Sequence, residues 1–181
     1  FSPIQEKPLT LETWPVWRDV LLRAWFMDDL DQRIERPFHF KMREFINKIS
    51  SRSGEPEGLT NDPIAWLVLT GAHLFDASEA SQRTGHADAL IKAEAAARKG
   101  LALGNPQGVS AWSLASVLIE RASEQSEPQL TLQAVHQLDE ARELLIQVEQ
   151  INSEANVDLL RARIETLRGN LEHARELLTS A

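Results

Sequence analysis

A short motif recurs along this chain at a spacing that leaves few folds open to it. Ala141-Arg142-Glu143-Leu144-Leu145 returns as Ala174-Arg175-Glu176-Leu177-Leu178, 33 positions later, and Ala97-Arg98-Lys99-Gly100-Leu101 stands 44 positions before the middle copy. A second pair, Ala65-Trp66 and Ala111-Trp112, is 46 positions apart. Similarity at periods of this size marks stacked supersecondary units. Each unit has more apolar surface than it can bury alone, so neighbours must cover one another and the chain grows as a one-dimensional array.

The units read as helical hairpins. Alternating Val/Ile/Thr runs and Asn-Gly or Asp-Gly turns are almost absent, whereas helix punctuation is frequent. Thr13 can cap a helix with Pro15 in its first turn, running to about Leu30, and a second helix is expected from about Phe38 to Ile49. Gly54-Glu55-Pro56-Glu57-Gly58 reads as a linker. Beyond it, Asn61 or Asp62 caps a helix carrying Pro63 at a position where a missing N–H costs nothing, ending near Ala80. Further helices are expected at about Ala87 to Leu103, Val109 to Gln125, Thr131 to Gln150, Glu154 to Arg168, and Leu171 onward. The expected fold is therefore all-α. Two helices precede the linker, and after it six helices with short connections form three antiparallel hairpins. The corresponding division is an N-terminal aromatic-rich cap over residues 1–53, a linker at 54–60, and an array over 62–181.

These residues resemble the tetratricopeptide-repeat family over about residues 62–181. The last unit carries the best match: Ala162 at the small position of the first helix, Gly169-Asn170 at the turn, and Ala174 at the small contact of the second helix. The middle unit fits through Leu114-Ala115 and Ala141. The first fits through Gly71, Ala97 and the unit-ending Leu103-Gly104-Asn105-Pro106. Arg161 stands where the family prefers Leu, and the first two units are longer than the family's usual repeat. Longer repeats of this kind are similar to arrays attached to bacterial signalling proteins. The resemblance implies a TPR-like superhelix that binds a peptide or protein surface with the first helix of each hairpin. The groove positions it implies are Val68, Ala72 and Phe75, then Trp112, Ser116 and Ile119, then Asn156, Arg163 and Thr166. The set is largely apolar with one cation. Residues 63–80 hold no Lys or Arg, and residues 109–124 hold only Arg121, so the family's carboxylate clamp is not expected.

An apolar groove calls for a cover. Trp17, Leu21, Leu22, Trp25 and Phe26 point in most directions around the first helix, unlike a one-sided surface helix. The expectation is that this helix caps the array. The competing expectation is an intermolecular interface through Trp17, Leu21, Trp25 and Phe26, giving a homodimer or holding a partner.

Composition removes other chemistry. The chain has no Cys, which excludes disulfides, zinc-thiolate sites, iron–sulfur clusters and thiol catalysis. The formal net charge is −8, against general nucleic-acid binding. One basic segment, residues 33–52, carries six cations and two carboxylates, and its helical spacing of Phe38, Met42, Phe45 and Ile46 favours a structural role over a phosphate contact. The five His have no metal-ligand spacing, and neither a phosphate-binding Gly-rich loop nor a Gly-x-Ser-x-Gly elbow occurs. The longest apolar run is interrupted by Thr70 and His73, too short for a bilayer. The expectation is a soluble segment, cytoplasmic or periplasmic, with no cofactor, no metal and no catalytic role. Its leading function is protein–protein interaction; a sensory or regulatory domain of a membrane-bound or signalling protein, or an oligomerisation unit, are the alternatives.

Overall fold

The computed structural model describes residues 9–24, 44, 45, 48, 50, 54–80, 83–125, 129–153 and 155–180. Among them there is no strand, and seven α-helices follow one another: α1 (Trp14–Ala24), α2 (Pro63–Glu79), α3 (Arg83–Leu103), α4 (Val109–Glu124), α5 (Leu132–Ile151), α6 (Asp158–Leu167) and α7 (Leu171–Ser180). A 3-10 turn, Pro106–Gly108, leads into α4. The second helix expected from the sequence, at about 38–49, lies mostly outside the described residues, as does the stretch of the first beyond residue 24.

Helix boundaries follow local chemistry. Asp62 caps α2, its Oδ1 accepting the Ile64 N–H at 2.9 Å, with Pro63 filling the first helical position. Thr131 caps α5 by accepting the Ala134 N–H at 3.1 Å. Asn156 rather than Glu154 sets the start of α6, accepting the Asp158 N–H at 3.1 Å. At the other end of α6 the chain turns at Gly169, whose φ of 81° suits a residue without Cβ. One boundary departs from the expectation. Arg83-Thr84-Gly85 belongs to α3 instead of the preceding loop, and His86 Nδ1 lies 2.7 Å from the Ala77 carbonyl, tying the early turn of α3 to the end of α2. The extra length of the first two units goes into helices: α3 and α5 have 21 and 20 residues, whereas α6 and α7 have 10 each.

Three antiparallel hairpins result. A Cβ built at Gly100, near the end of α3, would lie 3.1 Å from the Trp66 Cβ and 3.4 Å from the Pro63 carbonyl, near the start of α2. With the His86 contact at the other end, α2 and α3 run antiparallel at close approach. Gly108 before α4 lies against Val148 near the end of α5, and the Asn170 N–H donates to the Glu165 carbonyl at 2.9 Å across the last turn. The hairpins pack in chain order, α3 on α4 and α5 on α6, with α2, α4 and α6 as successive neighbours. Small residues permit this. Ala97, Ala141, Ala162 and Ala174 are all buried, at the positions where the repeat places them.

Two apolar clusters do most of the burying. One runs from α3 through α4 and α5 to Val157 and Ile164, with Leu114, Leu118, Ile119, Leu138 and Leu145 almost wholly enclosed. The other joins Trp14, Trp17 and Leu21 of α1 to Ile64, Trp66, Leu67 and Leu69 of α2. Ion pairs lie along the seams. Between the first and second hairpins, Arg98 binds Glu140 through two parallel bonds of 2.7 and 2.9 Å and binds Glu94 at 2.8 Å, while Arg121 also reaches Glu94. Between the second and third, Arg161 pairs with Glu149, Arg168 with Asp139 and Arg163 with Glu120. Arg161 thus has an electrostatic use where an apolar residue was expected.

Candidate functional site

The first helices of the hairpins carry exposed side chains in a row. On α4 ten of the 16 residues are buried, and before its last turn what stays accessible is Trp112, Ser116 and Glu120, each four residues from the next. On α2 the accessible side holds Val68, Gly71 and Phe75; on α6 it holds Leu159, Arg163 and Thr166. The helices α2, α4 and α6 are successive neighbours, and Arg163 joins the α6 stripe to Glu120 of the α4 stripe.

The stripes differ in part from the positions expected from sequence. Phe75 is 39% exposed, Trp112 is half-buried, and Ser116, Asn156, Arg163 and Thr166 are accessible. Ile119 is fully buried in the core of the second hairpin, and Ala72 is 4% exposed. Neither offers a surface to a partner. The physical reason is register: at about 100° per residue Ser116 and Glu120 lie about 40° and about 80° to one side of Trp112, along the exposed edge of α4, whereas Ile119 lies about 20° to its other side, where the half-buried Trp112 already borders the core. The residue on the exposed edge is Glu120. Gly71 and Leu159 were likewise missed, although Leu159 is 64% exposed. The fourfold spacing Trp112-Ser116-Glu120 was the available signal, obscured because Ile119 is the more apolar residue.

The polar members of the row are already engaged. Arg163 spans to α4 with both terminal nitrogens on the two oxygens of Glu120, the Nη2–Oε2 bond being 2.8 Å. The Ser116 hydroxyl donates to the Trp112 carbonyl at 3.0 Å, and that of Thr166 to the Ala162 carbonyl at 2.8 Å. Asn156 spends its side-chain oxygen on the start of α6. Charge at the centre of the row is therefore neutralised internally, and apolar area at Phe75, Trp112 and Leu159 is what it has to offer.

The aromatic helix is placed by Asp62. Besides capping α2, Asp62 accepts the Trp14 indole N–H at Oδ2 (2.7 Å) and the Arg18 Nε–H at Oδ1 (3.1 Å). Trp14 is stacked on Phe45 with ring centroids 6.0 Å apart. Trp17 and Leu21 are 3% and 4% exposed. Both are consumed inside the chain, so neither is available for the intermolecular interface expected as the competing role. Trp25 and Phe26 lie outside the described residues. The stretch 54–60 is likewise packed rather than loose: Pro56 is buried, and Lys99 bridges Glu55 at 3.2 Å while lying 5.5 Å from the Trp66 ring centroid.

A shallow depression of about 440 Å³ lies beside this junction, lined by Arg18, Gly58, Leu59, Thr60, Asn61, Asp62 and Pro63. It is at the start of α2, about 18 Å along the helix from Phe75 at 1.5 Å per residue. Its one carboxylate is saturated by Trp14, Arg18 and the Ile64 N–H. Near the other end of the hairpin, burial pushes His73 below the ordinary histidine range, Lys92 adds to the shift and Asp76 opposes it. His86 faces the Ala77 carbonyl with one nitrogen and, at 3.1 Å, Glu124 with the other. Among the described residues no three His, Asp or Glu side chains gather as a metal site, and no helix is long and apolar enough to cross a membrane. Compared with protein-family models, curated proteins and solved structures, the chain matches none.

Proposed function

We propose that this chain is a non-catalytic protein–protein interaction module, a TPR-like array whose first helices form a groove for a peptide or protein surface. The observation that carries this reading is the set Val68, Gly71 and Phe75, Trp112 and Ser116, and Leu159 and Thr166, accessible on three helices that are successive neighbours. The open edge at Gly71, where an added Cβ would meet nothing within 4 Å, leaves room for a ligand to approach α2 closely. Binding would be driven by burial of Phe75, Trp112 and Leu159, at about 25 cal/mol per Å² of apolar area covered. The Arg163–Glu120 pair would hold α4 and α6 at a set separation and orient polar groups of the ligand.

The test is capture of partners from the native cell by the full chain and by the variant Phe75→Ser/Trp112→Ala/Leu159→Ser, with helicity and melting temperature monitored in parallel. Loss of capture by a folded variant supports the groove. Undiminished capture overturns it and moves the binding surface elsewhere.

A further inference from the structure

We draw no further inference here: the strongest candidate, the exposed apolar patch of Leu171 and Leu178 on α7, carries nothing because nothing in the structure shows what covers it.

Discussion

Replacing Asp62 with alanine should do more damage than its modest surface exposure suggests, because one carboxylate serves three donors. The cap bond to the Ile64 N–H is worth about 1 kcal/mol. Trp14 is 2% exposed, so an indole N–H left without its 2.7 Å acceptor costs about 1–3 kcal/mol. The Arg18 bond is partly solvated and adds only about 0.5 kcal/mol. Together Asp62→Ala should lower unfolding stability by about 3 kcal/mol, or about 6–12 °C in melting temperature for a chain of this length. Asp62→Asn, which keeps one acceptor oxygen, should lose about half of that. Urea denaturation of Asp62→Ala, Trp14→Phe and the double variant gives the coupling directly. Since Trp14→Phe removes the donor along with the bond, the cycle should return an interaction of about 1–2 kcal/mol. If Asp62→Ala cost less than about 0.5 kcal/mol, or the two substitutions were simply additive, the idea that Asp62 fastens α1 to the array would be wrong.

Two glycines should respond to alanine with opposite sign. Gly71→Ala, into open space on an exposed helix position, should stabilise by about 0.5–1 kcal/mol. Gly100→Ala should destabilise by about 1 kcal/mol, because overpacking against the Trp66 Cβ and Pro63 carbonyl exceeds the gain in helix propensity; paired thermal melts decide both. Leu145→Ala, deep in the main cluster, should cost about 2–5 kcal/mol by denaturant titration. Acidification should act in two windows. Folded His73 resists protonation while the unfolded chain accepts it near its ordinary 6.5, so stability should fall as pH drops through that value, and His73→Gln should flatten a stability–pH profile there. Glu140 is held below its ordinary 4.5 chiefly by the Arg98 hydrogen bond, so its contribution is present above that value and lost as pH falls further. Arg98→Ala should remove this second loss, a small one because the pair is exposed.

Much of the architecture was legible before any coordinates. Asp62-Pro63, Thr131 and Gly169-Asn170 mark helix ends through bonds that form within a few residues, so local sequence is sufficient to place them. The recurring alanines are readable for a related reason: at Ala97, Ala141 and Ala174 the close approach of a second helix restricts the side chain to a small one, and the restriction repeats with the unit. The candidate site was read less well. Phe75, Trp112 and Arg163 are accessible, but Ile119 and Ala72 turn into the core, and Glu120 and Leu159 take the exposed edge. A largely apolar helix such as α4 is buried on most of its circumference, so its hydrophobic pattern cannot say which narrow edge remains open.

What the sequence alone determined is the class and rhythm of this protein: helices, their ends, their pairing, and the absence of any cysteine for thiol chemistry. What only the tertiary structure decided is partnership across distance. Asp62 meeting Trp14 and Arg18 from 44 to 48 residues away, Arg163 closing on Glu120, and Trp17 and Leu21 disappearing into the first hairpin depend on how units dock. Docking is also what leaves Leu171 and Leu178 uncovered while their counterparts 33 positions earlier, Leu138 and Leu145, are enclosed. Equal residues at equal repeat positions have unequal surroundings because burial belongs to the neighbour that arrives, and a repeat does not encode its own neighbour.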